Sequence, residues 1–405
     1  MKELFTLGEM YVSDFIKDET TTKKYELKLV LDSKIGAARL EKPAPLDTMY
    51  GKYWYRSGIN TTMREELKSI VDSIIKLIPL KENDVWLDIA CNDGTLLSYV
   101  PKTMIKIGID PADDSYKIES EAWANIIVQD YFSKKAYKST RFGNQKAKIV
   151  TCIAMFYDLD DPSPFLTDVY DIMDDAGLFL LQLSYTPLMI KQLAFDNICH
   201  EHIYYYTLTS MRRLLSKNGF KVMDCKLNDV NGGSFRLYVM KDLPSNEEKF
   251  YTQPYRDVCN VRLDSLDLYE YNLKLEEKST WYSFFIRIEQ LKKEVVEFIT
   301  RAKSEGKTIW GYGASTKGNT LLQYFELNNT LIDGIAERSQ HKWGLKTVGT
   351  NIPIYSEDEM RKAKPNYLLI LPWHFISEFK KREEEYLRGG GKFIVPCPTF
   401  KVINQ

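Results

Sequence analysis

Val85-Trp86-Leu87-Asp88-Ile89-Ala90-Cys91-Asn92-Asp93-Gly94-Thr95 is the stretch on which the fold turns. An apolar run at 85–90 leads into small and polar residues, and 95–100 reads as the start of a helix. This is the pattern of a buried strand, a tight turn and a helix. In open α/β sheets, ligands meet such turns at the carboxyl ends of the strands. The turn lacks the three glycines of G-x-G-x-x-G, since only Gly94 is present. A pyrophosphate needs bare backbone N–H groups beside it, so it fits this turn poorly.

The same alternation repeats on either side. Leu67, Ile70, Ile74, Ile75 and Ile78 recur at helical spacing across 64–78 and predict an amphipathic helix. Runs at 105–109, 126–128, 148–153 and 178–183 read as strands, 203–225 as a further helix and strand, and 234–240 as another strand. Strands alternating with helices imply a parallel sheet covered on both faces. Between about 265 and 305 the pattern is helical and charged. A second series then begins, with strands at 308–311, 331–336, 367–371 and 392–395 and helices at 318–325 and 376–387. Residues 1–60 are polar, with one mostly apolar run at 27–31 and an aromatic cluster of Tyr50, Tyr53, Trp54 and Tyr55. The expectation is an α/β chain in three parts. Residues 1–60 form a small appended segment without a large core of its own, 61–264 a Rossmann-like domain, and 265–405 a helical connector with a second Rossmann-like domain.

Composition narrows the partners. Lys+Arg 55 against Asp+Glu 56 gives a net charge of −1, which offers no field for nucleic acid or an anionic membrane. The 44% hydrophobic and 27% charged residues suit a globular chain. The N-terminus lacks the basic and apolar regions of a secretory signal. No apolar run approaches the ~20 residues that span a bilayer. The six cysteines, at 91, 152, 199, 225, 259 and 397, form no C-x-x-C pair, so neither a disulfide framework nor a cysteine zinc site is expected. These features predict a cytoplasmic protein with reduced thiols.

Two clusters carry chemistry. Asp88, Asp93 and Asp110 stand at or near strand ends, where carboxylates suit a cationic ligand and ribose hydroxyls better than phosphates. That is the arrangement expected for S-adenosylmethionine, with Asp110 on the ribose, Ala90, Asn92 and Gly94 of the turn around the methionine portion, and Asp130-Tyr131-Phe132 beside the adenine. Downstream, Cys199-His200-Glu201-His202 holds two of only four histidines. Histidine titrates nearest neutrality, and a carboxylate neighbour tunes its basicity. The other two, His341 and His374, lie in the second α/β unit. Asp158, Asp160 and Asp161 read as a solvated acidic turn, and His374 as structural.

Taken together, these segments resemble the sugar C-methyltransferases that act on nucleotide-linked 4-keto-deoxysugars with S-adenosylmethionine, over roughly residues 48–402. Tyr53-Trp54-Tyr55-Arg56-Ser57-Gly58 looks like the tyrosine-rich lead-in to the family's methyltransferase domain, and 88–97 like its cofactor loop. Cys199-His200-Glu201-His202 and Asn231-Gly232-Gly233-Ser234-Phe235-Arg236 resemble its catalytic and substrate segments. Gly311-Tyr312-Gly313-Ala314-Ser315-Thr316-Lys317-Gly318-Asn319 and Val395-Pro396-Cys397-Pro398 look like its C-terminal domain. The resemblance implies a class I methyltransferase domain followed by a Rossmann-like domain that helps hold a nucleotide sugar, direct methylation of the carbon beside a ketone, and a monomer. S-adenosylhomocysteine would be the product. The chain departs from the family twice. No cysteine precedes Cys91, and Asp32 and Ile35 stand where one zinc C-x-x-C pair would align, so no zinc is expected. Cys199 stands where the family often has tyrosine.

The roles implied are then specific. A carbanion-like nucleophile must be made, its enolate steadied, and both reactants held in line. His202 is the expected base with Glu201 orienting or assisting, and His200 ranks second. Tyr53 or Tyr55 donates a hydrogen bond to the enolate oxygen, a choice left open. The turn at Gly313, Ser315, Lys317 and Asn319 suits either a second dinucleotide or a sugar-nucleotide diphosphate, Glu337-Arg338 its ribose or base, and Asn231, Ser234 and Arg236 further sugar or phosphate contacts. Competing readings are an O- or N-methyltransferase on the same scaffold, an NAD(P)-linked enzyme and a non-catalytic nucleotide-sugar binding protein.

Overall fold

A computed structural model describes residues 2–17, 23–45, 54–246 and 253–404. The chain opens with β1 (Lys2–Tyr11), the short β2 (Phe15–Ile16), β3 (Lys24–Asp32) and β4 (Ala37–Leu40). It continues with β5 (Val85–Ile89), β6 (Ile105–Ile109), β7 (Ile126–Val128), β8 (Ala147–Ile153), β9 (Met173–Ser184), β10 (Tyr204–Tyr205), β11 (Phe220–Asn228) and β12 (Ser234–Lys241). The last third holds β13 (Ile309–Tyr312), β14 (Gly334–Glu337), β15 (Lys346–Thr347), β16 (Ile354–Ser356), β17 (Tyr367–Ile370), β18 (Lys392–Val395) and β19 (Lys401–Ile403).

The central sheet has seven strands in the order β11-β12-β9-β8-β5-β6-β7, parallel except for β12, which runs antiparallel to both neighbours. Alternate residues of β5 serve opposite faces. Val85, Leu87 and Ile89 join one core with Ile107, Val150 and Phe179. Trp86 joins the other, under helix Thr61–Leu77, with Ile70, Ile74 and Leu97. Strand order reverses at β5, with β6 on one side and β8 on the other, and this opens a crevice at the strands' carboxyl ends. The second sheet, β16-β14-β13-β17-β18-β19, is parallel except for β19 and reverses in the same way at β13.

The expected appended N-terminal segment is more than that. Strands β1, β3 and β4 form an antiparallel sheet whose Leu4, Phe5, Leu7, Leu27, Leu29 and Leu40 are buried. They share one core with helix Lys278–Ser304 and the second α/β sheet, and the Phe5 ring lies 5.3 Å from that of Phe285. Register shifts between Glu3 and Phe5 and between Thr6 and Glu9 break the two-residue alternation of β1 and hide it from a periodicity reading. The helical connector also begins earlier than expected. It divides into Gln253–Leu273, which packs on β11, and Lys278–Ser304, which packs on β1.

Candidate active site

A cleft of about 460 Å3 opens at the carboxyl ends of β5, β6 and β8. Its first wall is the turn after β5. Ala90, Asn92 and Gly94 all take left-handed backbone, with φ of 57°, 53° and 75°, which folds the chain back sharply. A Cβ at Gly94 would stand 2.8 Å from the Ser120 backbone, so only glycine fits there. The Asp110 carboxylate accepts the Asn92 and Ala112 amides, both at 2.8 Å, and Asp88 accepts the Thr151 hydroxyl at 2.6 Å. Burial pushes Asp88 up to about 7, with Asp110 adding to the effect, and burial raises Asp110 as well. Two carboxylates that share a dry wall, with no lysine or arginine in ion-pair contact among the described residues, suit a cation and hydroxyl donors. Such acceptors match the ribose hydroxyls and the cationic methionine end of S-adenosylmethionine.

Of the expected cofactor residues, Asp88, Ala90, Asn92, Asp110 and Tyr131 line this cleft. Asp93 stands behind it, accepting the Gly58 amide at 2.7 Å and the Thr95 hydroxyl at 2.6 Å. Asn92 accepts the Ser57 amide at 3.0 Å and donates to the Tyr55 carbonyl at 2.9 Å. The two side chains thereby staple 55–58 over the cofactor turn and bring Tyr55 to the cleft. Tyr55 is 39% exposed overall, but it borders the cleft, and desolvation of its hydroxyl, aided by Asp93, raises its pKa and keeps it a donor. Gly94 supplies the turn geometry, and Asp130 accepts the adjoining Tyr131 amide at 2.7 Å. Tyr53 lies outside the described residues.

The opposite wall comes from 195–204. Glu201 and His202 line the cleft. His202 Nδ1 lies 2.8 Å from the Asn197 carbonyl, and the ring packs 4.3 Å from that of Tyr157. A carbonyl can only accept, so Nδ1 carries the proton and Nε2 keeps its lone pair. The orienting bond therefore comes from Asn197 rather than from Glu201. Burial holds His202 down to about 3, with the Lys317 charge adding to the effect, and burial pushes Glu201 up to about 7. His200 turns away, with Nε2 3.1 Å from the Tyr25 carbonyl of β3. Cys199 is buried, which raises its thiol pKa and keeps it protonated.

The substrate set divides sharply. Asn231 and Lys317 line the cleft. Lys317 reaches in from the C-terminal unit and donates to Asn197 Oδ1 at 2.5 Å and to the Asn231 carbonyl at 3.4 Å. The others make bonds within the fold. Ser234 donates to the Val230 carbonyl, and Arg236 pairs with Glu66 at 2.7 Å and donates to Gln182 at 2.9 Å. Gly313 packs on Pro372, and Ser315 caps its helix by accepting the Gly318 amide at 2.9 Å. Asn319 donates to Ser13 and the Asp14 carbonyl. Glu337 accepts the Ala314 and Ser339 amides, and Arg338 donates to the Ile59 carbonyl. His374 is packed against Phe375 at 4.2 Å.

Sequence reasoning missed Asn197, Tyr157 and the acidic wall. Asp158 and Asp160 border the cleft; Asp160 and Asp161 are exposed, as the solvated-turn reading expects, with Asp160 paired to Arg39 and Asp161 capping helix Pro162–Ile172. Asn197 acts partly through its backbone carbonyl, which residue identity does not signal. Among the described residues no group of His, Cys, Asp and Glu could hold a metal ion, and no helix is long and apolar enough to cross a membrane.

Residues 59–224 match the family model of a methyltransferase domain, and 229–398 match that of a C-methyltransferase C-terminal domain. C-methyltransferase NovU of Streptomyces niveus is 27% identical over 360 residues, which are 88% of this chain and 83% of that protein. The sphingolipid C9-methyltransferase of Komagataella phaffii is 28% identical over 151 residues, 32% of this chain and 30% of its own. Among solved structures, magnesium protoporphyrin IX methyltransferase of Synechocystis PCC 6803 with bound SAM shows a TM-score of 0.33 at 13% identity, over 47% of this chain and 87% of that one.

Proposed function

We propose that this chain, a methyltransferase that uses S-adenosylmethionine, methylates the carbon beside the ketone of a nucleotide-linked 4-keto-deoxysugar through an enolate. The observation that carries this reading is one cleft shared by the Asp88 and Asp110 carboxylates and the proton acceptors Glu201 and His202. Bound against those carboxylates, S-adenosylmethionine supplies a methyl group already activated on a positive sulfonium.

The chain's own residues do the rest. His202 Nε2 takes the proton from the acceptor carbon, with the ring held by the Asn197 carbonyl. Burial and the Lys317 charge both oppose the resulting imidazolium, and an ionised Glu201 on the same cleft is the negative charge that offsets them, so the carboxylate must be charged for the step to run. Tyr157, Phe132 and Phe165 supply apolar walls that exclude water.

Incubation with a panel of nucleotide-linked 4-keto sugars and S-adenosylmethionine, read by mass, should show a gain of one methyl group. Methyl gain only on hydroxyl or amine acceptors would overturn carbon transfer. The kcat/KM should rise with pH through about 7, falling close to tenfold per unit below it, because Glu201 must lose its proton. The Glu201→Gln variant should lose that limb together with about 100-fold in rate.

A further inference from the structure

We propose that Lys317, carried by the C-terminal domain, binds the acceptor's carbonyl oxygen and holds its charge as the adjacent carbon loses a proton. This deepens the reading above and rests on it.

The geometry gives the lysine a place in the reaction rather than on a diphosphate. Its ammonium is buried and lines the same cleft as Glu201 and His202. An ammonium has three N–H bonds. Asn197 Oδ1 takes one at 2.5 Å and the Asn231 carbonyl a second at 3.4 Å, which leaves one for an acceptor oxygen. Asn197 does double service, since its backbone carbonyl also fixes His202 Nδ1 at 2.8 Å. One residue therefore sets the spacing between base and cation.

Four amides of the turn that carries Lys317 are already spent within the fold. The Gly313 amide donates to the Ala336 carbonyl, Ala314 to Glu337, Gly318 to the Ser315 hydroxyl and Asn319 to the Ser315 carbonyl. The charged and titratable groups around the ammonium are Asp158, Asp196, Cys199, Glu201, His202 and His374. Three of these are carboxylates, an acidic setting that offsets the buried cation and repels a diphosphate.

Atoms and electrons balance through the step. The C–H bond beside the ketone breaks, its proton passes to His202 Nε2, and its electron pair shifts into the carbonyl to give an enolate. Lys317 donates a hydrogen bond to that oxygen and keeps its proton. The enolate carbon then forms its bond to the methyl group as the sulfonium–methyl bond breaks, its electron pair goes to sulfur, and His202 returns the proton to solvent.

The test compares wild type, Lys317→Met and Lys317→Gln on whichever keto sugar the wild type methylates. The readouts are kcat and KM, deuterium uptake at the carbon beside the ketone without S-adenosylmethionine, affinity for S-adenosylhomocysteine, and affinity for the sugar-free nucleoside diphosphate. The Met variant should lose 100- to 1,000-fold in kcat and a similar factor in deuterium uptake. Both affinities should stay within about threefold of wild type. If Lys317→Met does not bind S-adenosylhomocysteine and so has not folded, the Gln variant carries the same comparison. An unchanged kcat with raised KM, or a large loss of nucleoside diphosphate affinity, would assign Lys317 to the diphosphate and overturn the inference. A wild type that methylates only a hydroxyl or amine would instead overturn the carbon-transfer reading and this inference with it.

Discussion

The turn after β5 and the turn after β13 are built on one plan. In each, an acidic residue at the end of the neighbouring parallel strand accepts an amide of the turn and the amide two residues beyond itself. Asp110 takes Asn92 and Ala112, both at 2.8 Å, and Glu337 takes Ala314 at 2.8 Å and Ser339 at 2.7 Å. Beyond these shared bonds the two turns diverge. Lys342 is buried against the second turn, donating to the Ala314 carbonyl at 2.7 Å and lying 3.9 Å from Glu337 and 4.8 Å from the Phe15 ring. Among the described residues the first turn has no such cation, and Asp110 faces the cleft beside Asp88. The glycine-poor turn thus leaves its strand-end acid open to the cleft, whereas Lys342 covers Ala314 and Glu337 of the turn with Gly311, Gly313 and Gly318, whose Thr316 and Lys317 border the cleft. A glycine count reports backbone curvature; the partners of the amides and of the strand-end acid report whether a ligand fits.

Removing the internal cation puts the strongest strain on this contrast. Lys342→Met strands the buried Glu337 and should lower the unfolding free energy by ~3 kcal/mol in urea titrations, with S-adenosylmethionine affinity within about twofold of wild type. A variant as stable as wild type would mean that Lys342 is not the counter-ion of the second turn. Next comes Asp110→Ala, expected to weaken S-adenosylmethionine binding by about 100-fold in calorimetry, or ~2.7 kcal/mol. Unchanged affinity there would erase the distinction between the turns. A milder effect is the pH dependence of that affinity. Burial raises Asp88 to about 7, and its ionised form favours a cation. Binding should therefore tighten as pH rises toward 7, by up to about tenfold per unit, and Asp88→Asn should flatten the curve.

Much of the architecture was legible because buried strands and amphipathic helices repeat with distinct periods. The run at 85–90 and the spacing of Leu67, Ile70 and Ile74 yield β5 and the helix over it. Strand β1 was not legible, since two register shifts scramble its alternation. That Asp88 and Asp110 meet at one cleft could be read from sequence, because both stand at local strand ends. On the far wall Glu201, His202, Asn231 and Lys317 were legible as residues, but the contacts that hold them were not, because those bonds join residues distant in sequence. Lys317 meets Asn197 across 120 positions, and Trp373 donates to Asp196 across 177. Arg236 and Asn319 look like ligand contacts in sequence because arginine and asparagine serve equally well as internal fasteners. Only the presence of Glu66 and Ser13 beside them tells the difference.

The placement of 195–204 also bears on the order in which the chain is made. This segment lends β10 to the N-terminal sheet, where Tyr204 pairs with Arg39. It carries Glu201 and His202 of the central sheet's cleft, and it is gripped from the C-terminal side by Lys317 and Trp373, while the Cys397 thiol donates to the Leu193 carbonyl just ahead of it. A ribosome releases those last three only near the end of synthesis. The nascent central sheet can therefore fold with Asp88 and Asp110 in place while the wall of Glu201 and His202 waits for its final struts. Translation itself acts as the timer, and a chain truncated before Lys317 should be born able to hold the methyl donor but not to spend it.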